Sequence, residues 1–344
     1  MKGCLSFTAL LFVLPPLCAL QHPPTSVLNT GTVMASQLLE SQAQQSCNGE
    51  GANEVVVALC QLAAPTGDKD ANIVAAKDGI DTAIASGKGV QMLVLPECWN
   101  SPYDAAAFPK YAEPIPGGPS SAMLVQAAKS HGIWLIGGSI PEVDESTGLV
   151  YNTCVVVSPQ GVIVTKHRKV HLFDIDLPGK IAFRESDTLT GGDQVTTFST
   201  PFGVVGVGIC YDIRFPEYAL LMQQRGASIL VYPGAFNLVT GAAHWELLQR
   251  ARAVDTQAFV LTASPARSSD DQQGYKAWGH STVVTPWGEV QATTGHEPST
   301  VFATLDLAKI HEMRDGIPTS TQRRSDLYVL QPIVKQPPPP PSSL

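Results

Sequence analysis

Short apolar runs separated by polar, glycine-rich breaks recur through the middle of this chain, and they alternate with segments whose apolar residues repeat at helical spacing. Runs at 54–62, 90–95, 133–140, 151–158, 162–167, 203–209, 227–232, 259–264, 280–285 and 301–305 read as strands. Helices fall between several of them. Residues 71–86 place Ile73, Ala76, Ile80 and Ile84 on one face. Pro119 and Gly132 bracket a second helix through Met123, Leu124, Ala127 and Ala128. A third, over 242–256, aligns Trp245, Leu248 and Ala251, and a fourth opens at Pro216 and ends at Gly226. The tetrapeptides S-P-Q-G (158–161), T-P-F-G (200–203) and T-P-W-G (285–288) each carry Pro second and Gly fourth, as a type I turn prefers. They mark hairpins, so the sheet is mixed. There is no long internal repeat.

Both ends fall outside this alternation. Met1-Lys2 followed by an apolar run to residue 20 has the positive start and short hydrophobic stretch of a secretory signal, too short for stable membrane anchoring. Residues 21–53 are polar and rich in Ser, Thr, Gln and Asn, like a linker or the second half of a presequence. Arginine is missing from this stretch, unlike a mitochondrial presequence. Entry by the secretory route, or import into a plastid through it, is the expected destination, with cytoplasm or mitochondrion as the alternative. Residues 331–344 form a Pro-rich, extended tail, which leaves 54–330 as a single enzyme-sized domain.

With 344 residues, 44% hydrophobic and 15% charged, the chain can bury a substantial core. A net charge of −8 and the lack of a basic stripe with interleaved aromatics argue against nucleic-acid partners. The one dense basic run, 166–169, serves either an anionic substrate or a salt-bridge network. Seven cysteines, at 4, 18, 47, 60, 98, 154 and 210, are an odd number without a C-x-x-C pair, which is neither a disulfide framework nor a zinc pattern. His167 and His171 are four apart in a strand-to-loop region where that spacing does not put them on one face, so no metal site is expected. His280 reads as a core or supporting group. No cofactor is expected.

The candidate chemistry lies at three strand ends. In G-I-C-Y-D-I-R-F-P-E (208–217), Cys210 stands where an apolar strand gives way to a helix, so the turn lifts its thiol above the sheet. Backbone N–H groups at such an elbow favour the thiolate and, later, a developing oxyanion. The plain alternative is a buried strand-end cysteine. V-Q-M-L-V-L-P-E-C (90–98) delivers Glu97 at the carboxyl end of another strand, and V-I-V-T-K-H-R-K-V-H-L-F (162–173) delivers Lys169. Singly, Glu97 could cap a helix and Lys169 could be a solvated charge. Together they are the parts of an amide-cleaving centre: a general base, an oxyanion-stabilising ammonium and a nucleophile.

These residues resemble the nitrilase superfamily over about 54–330, through L-P-E-C-W around Glu97, H-R-K-V-H-L-F-D around Lys169 and G-I-C-Y-D-I-R-F-P-E around Cys210. The resemblance implies an α/β fold, a four-layer α-β-β-α sandwich with two mixed sheets between helical layers. It also implies a Glu97-Lys169-Cys210 triad and a homodimer or larger assembly. Glu185, in F-R-E-S-D-T-L, matches the family's second glutamate; without the family it is an ordinary loop acid. The stretches 171–186, 232–255 and 263–267 are similar to the omega-amidase branch, whose substrates are 2-oxoglutaramate and 2-oxosuccinamate. In G-A-A-H-W-E, Ala242 replaces that branch's proline, a change in loop stiffness. Amidases of deaminated glutathione and N-carbamoyl amine hydrolases share the triad, and a non-catalytic scaffold is the reading from another class. Short anionic substrates call for a second cation. Arg214 is the candidate, joined by Tyr211 and His244, although Arg214 could instead pair structurally with Asp212 or Glu217.

Overall fold

The computed structural model describes residues 53–179, 181–269 and 274–333. The signal-like segment 1–20, the stretch 21–52, the tail beyond 333 and Cys4, Cys18 and Cys47 lie outside the described residues.

The first half of the chain runs through β1 (Glu54–Gln61), α1 (Lys69–Ala85), β2 (Met92–Val94), α2 (Phe108–Tyr111), α3 (Pro119–His131), β3 (Trp134–Ile136), β4 (Ile140–Val143), β5 (Val150–Val157), β6 (Ile163–Arg168), β7 (Asp174–Leu177) and β8 (Ile181–Arg184). The second half comprises β9 (Thr196–Thr200), β10 (Gly203–Val207), α4 (Pro216–Gln224), β11 (Ala227–Pro233), α5 (Leu238–Thr256), β12 (Phe259–Ala263), β13 (Thr282–Val284), β14 (Val290–Thr293), β15 (Ser299–Asp306) and α6 (Ala308–Gly316). Local chemistry sets several boundaries. The Asp68 side chain accepts the Ala71 N–H at 3.0 Å to open α1. Gly132, at φ 65°, ends α3 in the left-handed conformation that favours glycine. Asn237 accepts the Val239 and Thr240 N–H groups at 2.9 and 2.8 Å, which starts α5 at Leu238, before the expected residue 242.

One sheet has the order β15-β1-β2-β3-β5-β4 with β6 on β5, and the other the order β14-β13-β12-β11-β10-β9. In each, three neighbouring strands run parallel (β1, β2, β3 and β10, β11, β12) with antiparallel strands at the flanks. Strand alternation then sorts the side chains into layers. Val57 and Leu59 of β1 join Val205, Val207, Ile229 and Val231 of the other sheet in one buried cluster. Ala58 and Cys60 point the other way, against Ala76 and Ile80 of α1 and Leu124 and Ala128 of α3. On the far face of the second sheet, a Cβ added at Gly206 would lie 2.7 Å from Met222 of α4, so that helix sits directly on the strand. The result is the α-β-β-α sandwich.

The three Pro-Gly turns join β5 to β6, β9 to β10 and β13 to β14, as the sequence indicates; Gly161 N and Gly288 N donate to Ser158 O and Thr285 O at 2.8 Å each. Strands β7, β8, β9 and β14 escape a hydrophobicity reading because they are short and partly exposed. The face of α5 is also different: Trp245 is buried, but Leu248 and Ala251 are only half-buried while Gln249 and Arg252 are buried. Arg252 is drawn in because it donates to Ile213 O at 2.8 Å and Arg214 O at 3.3 Å.

The run 133–140 is not one strand. It breaks at Gly137-Gly138 so that Ser139 N can reach Pro96 O at 3.1 Å and Ser139 Oγ can accept the Cys98 N–H at 3.2 Å, closing the chain around the end of β2. Gly138 has φ +62°, and an added Cβ would lie 2.1 Å from Pro96 O. Gly148, at φ +71°, has nothing within 4 Å of the same position. Gly138→Ala should therefore cost about 2–4 kcal/mol and Gly148→Ala about 1–2 kcal/mol in urea unfolding. Equal losses would place the cost in backbone conformation alone and remove the close approach from the argument.

Candidate active site

Each candidate group sits just past the carboxyl end of a strand: Glu97 after β2, Lys169 after β6, Glu185 after β8 and Cys210 after β10. Glu97, Lys169 and Glu185 are buried together. Lys169 Nζ donates to Glu97 Oε1 and to Glu185 Oε1, both at 2.9 Å. The remaining lone pairs are met by neutral donors. Glu97 Oε1 also accepts from Asn152 Nδ2 at 2.9 Å, and Oε2 from the Ala235 N–H at 2.8 Å. Glu185 accepts from the Tyr103 hydroxyl at 2.8 Å and from the Phe173 N–H at 2.7 Å.

Cys210 opens a short turn before α4, at φ 46°, an uncommon backbone for a residue with a side chain. Gly234 passes so close that an added Cβ would lie 3.2 Å from Cys210 Cα. The thiol and Glu97 shift each other's titration. Burial pushes Cys210 well above the ordinary thiol range, the charge of Glu97 adds to this, and Lys169 opposes it. These influences favour the thiol over the thiolate, in keeping with a base that takes its proton. Burial also raises Glu97, against the charge of Lys169. Burial alone would lower Lys169, but the charges of Glu185 and Glu97 outweigh it and hold the ammonium protonated.

A cavity of about 430 Å³ reaches this group and is lined in part by Glu97, Cys98, Tyr103, Ala235 and Tyr275. Tyr103 belongs to both the cavity wall and the charged cluster. Its ring lies 4.4 Å from Tyr275 and 5.4 Å from Phe183 of β8, centroid to centroid, so aromatic rings border the carboxylates. Asn152, Tyr103, Tyr275 and the Ala235 N–H were not legible as site groups in the sequence. Only Asn152 carried a signal, as a lone amide in the largely apolar run of β5.

Arg214 does not pair with Asp212 or Glu217. Among the described residues no carboxylate is paired with it; its guanidinium lies 4.7 Å from the Phe236 ring centroid and 5.5 Å from that of Tyr211, with Nη1 at 3.2 Å from His244 Nδ1. Its Nε is buried without a partner. Burial lowers its pKa, and the neighbouring Cys210 acts the other way, which places the cation near the thiol. Tyr211 is half-buried and His244 is exposed.

The basic run 166–169 divides by strand alternation. Lys166 and Arg168 point to one side, where Lys166 pairs with Glu142 and Arg168 bonds Glu142 at 2.7 Å and Asp144 at 2.9 Å. Lys169 and His167 point inward. His167 and His171 do meet, contrary to the sequence expectation: His167 Nε2 is 3.1 Å and His171 Nδ1 2.7 Å from the two oxygens of Asp212.

The carbon-nitrogen hydrolase family model matches residues 56–315. The chain is 58% identical over 247 residues to omega-amidase NIT2 of Xenopus tropicalis, covering 72% of this chain and 88% of the relative. The Homo sapiens omega-amidase NIT2 is equally similar, 58% identical over 247 residues with the same coverage. Among solved structures, Saccharomyces cerevisiae Nit3, of the nitrilase superfamily, superposes with a TM-score of 0.73 at 43% identity, covering 79% of this chain and 97% of that one. The C. elegans NitFhit protein gives 0.69 at 34% identity, covering 80% and 66%.

Removing the ammonium leaves two carboxylates facing each other without a cation. Lys169→Gln should cost about 3–5 kcal/mol in urea unfolding, and Glu185→Gln added to it should recover part of that loss. Strictly additive losses in the two variants would show that the three groups do not form one electrostatic unit.

Proposed function

The chain belongs to the carbon-nitrogen hydrolase family, and from that membership we propose that it is an omega-amidase, hydrolysing the terminal amide of 2-oxoglutaramate or 2-oxosuccinamate to the 2-oxo dicarboxylate and ammonia. The observation that carries the site assignment is the buried ammonium of Lys169 between two carboxylates, beside a thiol kept protonated.

Glu97 takes the Cys210 proton as sulfur bonds to the amide carbon and the carbonyl electron pair moves to oxygen. Burial raises its pKa and makes it a stronger proton acceptor than an exposed carboxylate. Lys169 and the N–H groups at the Cys210 turn face the oxyanion. The carbon–nitrogen bond breaks as Glu97 returns the proton to nitrogen, ammonia leaves and a thioester remains. Water then attacks the thioester and gives its proton to Glu97, the carbon–sulfur bond breaks, and Glu97 restores the thiol. Glu185 holds Lys169 and, through Tyr103, the cavity wall. Pairing of two copies goes with the family, and the exposed Leu247 and Val254 of α5 support a helical contact face.

Cys210→Ala should retain the fold and less than about one part in a thousand of the ammonia release from 2-oxoglutaramate, since a covalent nucleophile is lost. Larger residual activity would remove Cys210 from the mechanism. Arg214, a partly buried guanidinium with no carboxylate paired to it among the described residues, is assigned to the substrate's α-carboxylate. Losing a charge-assisted contact of about 1.5–3 kcal/mol, Arg214→Met should raise KM for 2-oxoglutaramate by about 10- to 150-fold and leave an uncharged amide nearly unaffected. Equal losses on both substrates, with a lower Tm, would assign Arg214 to the fold.

A further inference from the structure

We infer that Asp212 is a positioning residue whose single carboxylate sets the distance between the nucleophile and the lysine. Its two oxygens take four donors. Oδ2 accepts from the Ile209 N–H at 2.9 Å and lies 3.1 Å from His167 Nε2; Oδ1 accepts from the His171 N–H at 2.9 Å and lies 2.7 Å from His171 Nδ1. Ile209 immediately precedes Cys210. His167 and His171 stand two residues before and two residues after Lys169. One buried carboxylate is therefore bonded to the residue before the thiol and to both residues that bracket the ammonium.

Each neighbour of this clamp is itself fixed. An ionised carboxylate can only accept, so the ring nitrogens that face it carry the protons. His167 Nδ1 lies 3.0 Å from the Thr196 hydroxyl. The His171 ring stacks on Phe215 with centroids 3.7 Å apart and planes 11° apart. Phe215 N donates to Asp212 O at 3.2 Å, tying the stack to the same turn. Burial alone would raise Asp212, but its hydrogen bonds from His167 and His171 outweigh that and hold it well below the usual carboxylate range. The carboxylate thus stays charged and keeps all four donors.

The turn needs such a clamp, because Cys210 at φ 46° is in a conformation that persists only where its surroundings over-determine it. The charges that most shift the thiol are those of Glu97, Lys169 and Glu185, so Asp212 acts through position. A reacting centre displaced by an ångström can lose about a hundredfold in rate, which is the scale expected when the clamp is broken.

This inference rests on the amidase reading above, and its test keeps the two separable. Asp212→Asn keeps the size of the side chain and replaces one acceptor by an amide donor. At a temperature where circular dichroism finds it fully folded, its kcat on 2-oxoglutaramate should fall by about a hundredfold or more with KM within about threefold of wild type. A folded variant with kcat within about threefold of wild type overturns the inference. Should Asp212→Asn fail to fold, His171→Gln and His171→Ala decide. The Gln amide can still donate to Asp212, so it should keep kcat within about fivefold while Ala loses at least about tenfold, and equal losses overturn the proposal. Wild-type protein inactive on oxo-acid amides would overturn the amidase reading alone. The clamp is then read in the same variants from alkylation of Cys210 by iodoacetamide, which should slow about tenfold when the thiol is displaced from Glu97; an unchanged rate overturns it.

Discussion

Lys169 Nζ lies 2.9 Å from a carboxylate oxygen of Glu97 and 2.9 Å from one of Glu185, with all three side chains closed off from solvent. Taking such ions out of water costs several kcal/mol each, and their mutual attraction compensates only when the remaining lone pairs and protons are satisfied. The surrounding fold meets that condition. Asn152 from β5, the Ala235 N–H beyond β11, Tyr103 from the loop after β2 and the Phe173 N–H before β7 all converge on the two carboxylates. The cluster draws on both sheets, so it can form only when the sandwich has closed.

The same constraint explains the chemistry. In the proposed mechanism, Lys169, held protonated by two carboxylates, supplies a preformed positive charge to the oxyanion without solvent reorganisation. Burial raises both Glu97 and Cys210, which disfavours a resting thiolate. In the proposed mechanism the thiol is ionised as the bond to carbon forms. Arg214 lies against the rings of Tyr211 and Phe236 and beside His244.

Much of the fold was legible because buried strands declare themselves as apolar runs and the three Pro-Gly turns fix where hairpins close. Glu97, Lys169 and Cys210 were legible for a related reason: each is a chemically distinctive residue at the end of such a run. Glu185 was not, since a loop acid in a polar segment has no local mark, and only the family resemblance singled it out. Asn152 and the Ala235 N–H bond Glu97 across 55 and 138 residues of sequence, a proximity that pairing of distant strands creates and that no local pattern encodes. His167 and His171 were expected not to share a face, yet both reach Asp212, which lies 45 and 41 residues further along the chain. His167 points inward within β6, while Lys169 and the partly exposed His171 lie past its end at Arg168.

The central claim is that amide cleavage passes through a thioester on Cys210. It is tested most directly by mixing the protein with 2-oxoglutaramate, quenching in acid during turnover and locating any acyl adduct by peptide mass spectrometry. The account predicts a 2-oxoglutaryl adduct on the peptide containing Cys210 that disappears as ammonia release is completed. Ammonia release without an adduct on any quench timescale, or an adduct confined to Cys98 in the cavity wall, would contradict it.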